Sequence, residues 1–284
     1  MSKLGLICTF LCGLFSINSS AQHFAEGDSL VKAKQYSLAE LAYERVYFEA
    51  SFDSLSNTQV LKNQALLKKI FTQKKAGHFL EASQSTQRFN LENLSDSAQF
   101  VLRYETVVCS FLAKQFEESL SQIQQTCYFV KDSLLTAPLD FWEILTLAEL
   151  GEYKTSKQKF EAYSLKNKLI IDLEKLYDFT AKPKFKDLKK AQALATFLPG
   201  AGLMYVGQTG RGITSLLLQS SALAFGVWSM ANTYYVSGFL TGFALFQTFY
   251  FGGIKLTARL AENKNQALKK EYAGKIRKAL TQLP

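Results

Sequence analysis

Apolar residues in the first two thirds of the chain recur at the spacing of one face of an α-helix, and the pattern occurs four times. Each copy has an aromatic residue, a small residue three positions later, a mostly bulky residue four further, and a fourth position three beyond. Spacings of three and four place side chains on one helix face. The copies are Tyr36, Ala39, Tyr43, Val46; Phe79, Ala82, Thr86, Phe89; Phe116, Ser119, Ile123, Thr126; and Tyr153, Ser156, Phe160, Tyr163.

Another amphipathic stretch precedes each copy, so the pattern predicts two helices per period. The opening aromatic residues are 43, 37 and 37 residues apart, and short turns join the helices. The small residue of each copy lets a neighbouring helix approach closely, and the aromatic residues fill the space beside it. We therefore expect an all-α fold over residues 22–180, a solenoid of about four helical-hairpin repeats.

These repeats are similar to a known family of helical scaffolds. The stretches KQYSLAELAYERV and KKAGHFLEASQSTQRF resemble the second helix of tetratricopeptide repeats, with an aromatic residue, Ala, another aromatic residue and Ala. The resemblance covers about residues 24–165. It implies a stack whose concave face holds a peptide or a partner protein.

The hydrophobicity changes in the last third of the chain. Two apolar runs of about twenty residues, 213–235 and 236–257, have the length that crosses the ~30 Å hydrocarbon core of a bilayer as a helix. Their Ser, Gly and Ala residues suit close packing of helices in lipid. A shorter apolar segment, 191–206, comes before them and is broken at Pro199 and Gly200. We expect a C-terminal α-helical membrane module over 191–260.

The break lies in a spaced glycine motif, FLPGAGLMYVGQTGRG. It resembles the Pro-Gly-x-Gly-x-x-Tyr-x-Gly-x-x-x-x-Gly signature of small bacterial membrane modules of the two-transmembrane type, a family of unknown function. Physically, the glycines would let a broken helix turn back against its neighbour, with the tyrosine at the interface. Both a packing role and a binding role stay open. The motif residues are Pro199, Gly200, Gly202, Tyr205, Gly207 and Gly212.

The positive charge is concentrated at the borders of this module. The chain carries a net charge of +9, and its basic residues cluster in the linker 181–190 and in the last 30 residues, including the tail 261–284. This distribution is typical of membrane borders, where basic residues meet anionic lipids. It argues against nucleic-acid binding, which uses a basic patch on a folded domain.

The N-terminus predicts export. Lys3 precedes an apolar stretch of twelve residues, and small residues end at Ala21, which together indicate a signal peptide over 1–21. The repeats would then lie in the periplasm of a Gram-negative-type bacterium, anchored in its inner membrane. Two crossings would return the basic tail to the periplasm, against the positive-inside tendency. A third crossing by 191–206 would place the tail in the cytoplasm, and both topologies stay open.

Candidate catalytic chemistry is sparse. The chain has two histidines, His23 and His78, too few for a histidine-based triad or metal site. The stretch GQTGRG follows an apolar helix instead of the strand that a phosphate-binding loop needs. We therefore expect no enzyme, cofactor, metal site or small-molecule substrate. Cys109 and Cys127 are predicted to be buried and unpaired.

Two functions are compatible with these patterns. In the first, the chain is a membrane-anchored envelope scaffold whose exported repeats bind a protein partner. In the second, the membrane module is the active part and assists the insertion, assembly or transport of other molecules, while the repeats recruit them. The broken helix motivates the second hypothesis, because broken helices often mark sites in transporters.

Overall fold

The structure is a computed structural model that describes residues 20–51, 58–180 and 185–282. All regular elements in these ranges are helices, so the chain is all-α, as the periodicity predicts. Residues 1–19 of the expected signal peptide lie outside the described residues. The fold divides into two compact units, one comprising residues up to Tyr177 together with residues from Ile276 onward, the other Asp178–Lys275.

Between Ser20 and Tyr177, the described residues of the first unit form ten helices, which pack mainly against their neighbours in sequence. Short connections make successive helices antiparallel. The helices are α1 (Ser20–Lys32), α2 (Tyr36–Glu49), α3 (Thr58–Ala76), α4 (Phe79–Thr86), α5 (Asp96–Leu112), α6 (Phe116–Phe129), α7 (Ser133–Thr136), α8 (Leu139–Leu150), α9 (Tyr153–Lys166) and α10 (Leu173–Leu176).

Four turns in this unit share one geometry. Each contains a residue with positive φ, two positions before the next helix begins, and these residues are Lys34, Gly77, Lys114 and Gly151. The following N–H donates to a carbonyl five residues back at 2.9 Å in every case, joining Gln35 to Leu30, His78 to Gln73, Gln115 to Ser110 and Glu152 to Leu147. This bond closes the preceding helix and reverses the chain.

The small residues of the four sequence copies lie where helices cross. Ala39, Ala82, Ser119 and Ser156 are all fully buried. The two serines make equivalent bonds, because Ser119 Oγ donates to the Val107 carbonyl at 3.2 Å and Ser156 Oγ to the Ile144 carbonyl at 3.1 Å. Each carbonyl is twelve residues before its serine, on the preceding helix.

The aromatic residues that open the copies are less buried than the small ones. Tyr153 is buried, whereas Tyr36, Phe79 and Phe116 are half-buried. The bulky third positions lie inside the unit, where Tyr43, Thr86, Ile123 and Phe160 are buried. These third positions therefore belong to the core of the first unit.

The cysteines differ from the expectation at one position. Cys109 is buried and unpaired, and burial raises the pKa of its thiol to about 12, so it is protonated at neutral pH. Cys127 is also unpaired but exposed, which corrects the prediction that both are buried. The helical spacing of residue 127 places it on the outer side of α6, next to the buried Thr126.

The second unit starts with a short 3₁₀ helix, Asp178–Thr180, and continues with further helices. These are α11 (Leu188–Phe197), α12 (Ala201–Val206), α13 (Thr209–Ala231), α14 (Tyr235–Ser237) and α15 (Ala244–Thr281), with a π-helical stretch, Gly238–Phe243, between the last two. The break in the apolar segment 191–206 lies between α11 and α12. Residues 261–281 of the expected tail are helical.

One helix in the described residues, α13, is long and apolar enough to cross a membrane. Its most apolar window has a mean hydropathy of 1.3, and 17% of that window is buried in the protein. Its buried residues Gly212, Gln219 and Gly226 are seven positions apart and form one face. The second apolar run, 236–257, is divided among α14, the π-helical stretch and α15.

Candidate functional site

The glycine motif forms a sharp break between α11 and α12. Leu198 leaves the helix in an extended conformation, with φ −135° and ψ 114°, and Gly200 then takes φ 85°. Proline after Leu198 favours this extended backbone, because its ring clashes with a helical residue before it. Gly207 ends α12 with φ 93°. Both glycines adopt a left-handed conformation that other residues reach only with strain.

Gly200 also contacts the start of α13 through backbone atoms. A Cβ on Gly200 would lie 2.2 Å from the carbonyl oxygen of Gly212, and a Cβ on Gly212 would lie 2.6 Å from Met204 Cγ. Neither distance is possible without movement of the backbone or of the methionine. The first and last glycines of the motif are thus adjacent, although twelve residues separate them.

Gly202 lies where three helices meet. A Cβ at this position would be 2.5 Å from the Ala191 carbonyl oxygen, 2.7 Å from Ala195 Cβ and 2.8 Å from Thr257 Cγ2. Ala191 and Ala195 belong to α11 and Thr257 to α15, and all three are buried. The absence of a side chain at Gly202 lets α12 fit between α11 and α15.

Tyr205 connects α12 to the segment before α11. Its hydroxyl accepts a hydrogen bond from the Asp187 N–H at 3.3 Å. The ammonium groups of Lys186 and Lys190 lie 4.8 and 5.6 Å from the centre of its ring. The basic linker and the aromatic residue of the motif therefore form one cation–π cluster.

The C-terminal end of the motif is held by α15. Lys264 Nζ donates to the Val206 carbonyl at 3.0 Å, at the end of α12. Asn265 exchanges two hydrogen bonds with the backbone of Lys186, one at 2.7 Å and one at 2.8 Å. The motif thus joins the basic linker, α12, α13 and α15. This arrangement is a packing centre of the second unit.

Two glycines allow α13 to approach the π-helical stretch closely. A Cβ on Gly242 would lie 2.2 Å from the Cα of Gly226. Seven residues before Gly226 on α13, Gln219 is 2% exposed, and its Nε2 donates to Ser215 Oγ at 2.8 Å. Its Oε1 has no hydrogen-bond partner among the described residues. Gln219 is a buried polar residue in an apolar helix. The composition of this helix did not single out Gln219 as a candidate site residue.

The histidines do not form a catalytic arrangement. His23 is exposed, and His78 Nδ1 lies 3.6 Å from Glu40 Oε1 at the start of α4. Within the described ranges, no three His, Cys, Asp or Glu side chains come together as metal ligands. A shallow cleft of about 480 Å³ between α13 and α15 is lined mainly by small and apolar residues, with Arg211 its one charged member.

The first unit contains charged contacts that sequence reasoning missed. Glu44 accepts hydrogen bonds from Arg88 at 2.7 and 3.0 Å and from Lys69 at 2.7 Å. Lys74 pairs with Glu105, whose side chain is 6% exposed. No local signal could reveal these pairs, because the partners are 25 to 44 residues apart in the chain.

The Glu44 cluster predicts a pH dependence of stability. The hydrogen bond from Arg88 is the main cause that lowers the pKa of Glu44 to about 2. A carboxylate whose folded-state pKa is depressed stabilises the fold above its unfolded pKa of ~4.3, and this contribution is lost as the pH falls towards 2. Both side chains are about one third exposed, so the effect is about 1 kcal/mol or less.

Arg88→Met should therefore lower the thermal unfolding temperature of the full chain in detergent micelles at pH 7. The difference from the unchanged protein should shrink as the pH is lowered from 5 to 2.5. Circular dichroism at 222 nm measures both curves. An equal loss at pH 7 and pH 2.5 would show that Arg88 stabilises the unit by packing alone.

Comparisons with known proteins do not assign the chain to a family. No protein-family model matches the chain, and neither a search of curated proteins nor a search of solved structures returns a match. The resemblances to tetratricopeptide repeats and to the glycine-motif membrane modules therefore rest on the residues quoted above, and the chain is placed by its own geometry as a two-unit all-α protein.

Proposed function

We propose that the chain is a membrane-anchored scaffold of the bacterial envelope, in which the first unit binds a protein partner and the second anchors it in the inner membrane. The signal peptide directs the first unit to the periplasm. No catalytic step belongs to this function. Two properties of the chain support this function. The first unit has its own hydrophobic core, and the apolar helix α13 is mostly exposed.

The observation that carries the proposal is the outward face of α13. Large apolar side chains on this helix point away from the protein, and Leu217, Val227 and Trp228 are each at least 60% exposed. Contact of such a face with lipid is favourable, because exposure of apolar surface to water costs free energy. The apolar residues Phe239 and Leu240 of the π-helical stretch are also more than half exposed. They support a second crossing by 236–257.

The scaffold role is supported by the regularity of the first unit. Its four turns share one hydrogen-bond geometry, and Ser119 and Ser156 occupy equivalent positions. Both features favour a repeat solenoid of the tetratricopeptide type. Such stacks present an extended surface to partners, since each repeat contacts only its neighbours.

Membrane anchoring by α13 predicts the effect of charge on its outer face. Leu217→Arg together with Leu223→Arg should lower the fraction of the full chain that resists extraction by alkaline carbonate several-fold, because an arginine near a helix centre costs ~2.5–3.5 kcal/mol on insertion. The matched control is Leu165→Arg in the first unit, where Leu165 is 75% exposed. The control should leave extraction unchanged.

Carbonate resistance is measured by immunoblot of membrane pellets against supernatants. Complete extraction of the unchanged protein would refute membrane anchoring. Equal resistance of the double arginine variant would show that α13 does not face lipid.

A second candidate function is favoured by Gln219. The side chain is buried in an apolar helix, and one polar atom of its amide has no partner in the described residues. Unpaired polar groups at membrane depth are expensive and often functional. In this alternative the second unit assists insertion, assembly or transport. Against it, no Asp, Glu, Lys or Arg lies between Ile213 and Gly253.

The two functions differ in what a chimera should do. The scaffold function predicts that replacing 191–260 by an unrelated membrane anchor of the same topology restores the phenotype of a deletion strain. Failure of that chimera, with rescue by the unchanged chain at equal abundance, would favour an active membrane module.

A further inference from the structure

Arg103, on α5, is a buried cation that has no anionic partner among residues 20–51, 58–180 and 185–282. The residue is 8% exposed, and its Nε is buried and lacks a hydrogen-bond partner within the described part of the chain. Its guanidinium carbon lies 4.4 Å from the centre of the Phe129 ring. Burial lowers its pKa, and no neighbouring carboxylate acts in the opposite direction. A buried charge that is not paired is costly to the fold.

Arg88 shows how the same chain satisfies a similar arginine. Its guanidinium carbon lies 4.2 Å from the centre of the Tyr47 ring, an arrangement close to that of Arg103 and Phe129. Arg88, however, donates two hydrogen bonds to the carboxylate of Glu44. Arg103 therefore has the aromatic contact that Arg88 has, but in the described residues it lacks the carboxylate that Glu44 provides to Arg88.

The surroundings of Arg103 form an exposed aromatic surface. The Tyr128 and Phe129 rings meet edge to face at 5.1 Å, and both are at least half exposed. Lys131 Nζ lies 4.8 Å from the centre of the Tyr128 ring, and Leu134 on α7 is 83% exposed. We call these four residues, together with Arg103, the Arg103 surface.

Two carboxylates next to this surface accept hydrogen bonds from the backbone. Asp96 accepts a hydrogen bond from the Lys131 N–H at 3.3 Å, and Asp132 accepts one from the Leu134 N–H at 2.9 Å. Among the described residues, neither carboxylate forms an ion pair with Arg103 or Lys131, the two cations beside the exposed rings. Arginine and tyrosine in such clusters are the residues that contribute most at protein interfaces.

We propose that the Arg103 surface binds a segment of a partner protein in which an Asp or Glu lies beside an apolar residue. The carboxylate would accept two parallel hydrogen bonds from the planar guanidinium of Arg103. The apolar side chain would cover Tyr128 and Phe129, and Lys131 would attract further acidic residues. This inference rests on the proposed scaffold function and names the chemistry of the partner.

The test uses the full chain in nanodiscs of neutral lipid, immobilised and exposed to a library of random twelve-residue peptides displayed on phage. Peptides that bind empty nanodiscs are removed first. The enriched peptides should carry an acidic residue next to an aromatic or aliphatic one. They should bind Arg103→Met at least tenfold more weakly than the unchanged protein, and Arg88→Met within twofold.

A second measurement separates binding from folding. Methionine keeps the apolar stem of Arg103 and removes the buried charge, so Arg103→Met should unfold at the same temperature as the unchanged protein or a higher one. Arg88→Met breaks an existing pair and should unfold earlier. A fall in unfolding temperature for Arg103→Met as large as that for Arg88→Met would make Arg103 a structural residue and overturn the proposal.

The remaining outcomes are also decisive. Enriched peptides without acidic residues, or peptides that bind Arg103→Met unchanged, would overturn this site while the scaffold function survives. Displacement of the peptides by short-chain phosphatidylglycerol at the concentration at which free acidic peptide acts would assign the surface to lipid headgroups. A selection that enriches no peptide would overturn the site, and carbonate extraction would still report on membrane anchoring.

Discussion

Gly200→Leu combined with Gly202→Leu is expected to destabilise the second unit by about 3 kcal/mol or more, since each overpacked site typically costs ~1–3 kcal/mol. A side chain on Gly200 meets the Gly212 carbonyl and adopts a strained φ of 85°. A side chain on Gly202 meets Ala191, Ala195 and Thr257. The contacts are mostly to backbone or to short side chains, which cannot rotate away.

The amount of membrane-inserted protein should fall in this double variant. The matched control is Gly210→Leu with Gly252→Leu, because a Cβ at either position meets no atom within 4 Å. The control should accumulate like the unchanged chain. Quantitative immunoblotting of carbonate-washed membranes measures both variants.

The same variant tests whether the break determines topology. Leucine at position 200 disfavours the left-handed turn that follows Pro199, so the accessibility of the C-terminal end should change. An impermeant thiol reagent reports this through Gln282→Cys in a background with Cys109→Ala and Cys127→Ala. Unchanged abundance together with unchanged labelling would show that the two glycines do not maintain the break.

Lys74→Met is expected to destabilise the first unit by about 3–5 kcal/mol, the usual result of removing one partner from a buried ion pair. Lys74 is the cation paired with Glu105, and their side chains are 17% and 6% exposed. Lys74 also lies 4.3 Å from the centre of the Phe71 ring, which helps to exclude water. Without Lys74, the Glu105 carboxylate is buried with no counter-charge.

An exposed ion pair in the same unit provides the control. Lys166 and Asp140 are 3.0 Å apart and about half exposed, so Lys166→Met should cost less than about 1 kcal/mol. The double variant Lys74→Met with Glu105→Leu should recover most of the lost stability, because no charge then stays buried. Thermal unfolding in micelles measures all three. Equal effects of Lys74→Met and Lys166→Met would show that water reaches Glu105.

The helical nature of this protein was predictable because helix formation depends on local spacing. The pattern with spacings of three, four and three spans only eleven residues in each copy, and Ala39, Ala82, Ser119 and Ser156 are all buried as such a face requires. The interruption at Pro199 and Gly200 was equally readable. Proline and glycine act on the backbone of their own neighbourhood, whatever the rest of the chain does.

The long-range contacts could not be predicted, because they depend on which helices become neighbours. Gly202 meets Thr257 and Lys74 meets Glu105, whereas Arg103 meets the Phe129 ring and no carboxylate in the described part of the chain. The sequence around each residue gives no sign of these contacts. The burial of Gln219 and the exposure of Cys127 follow from packing in the same way. The sequence by itself determined an all-α chain with an apolar, glycine-broken C-terminal part. Only the tertiary structure decided which charges are paired, because a charge senses atoms close to it in space and not in sequence.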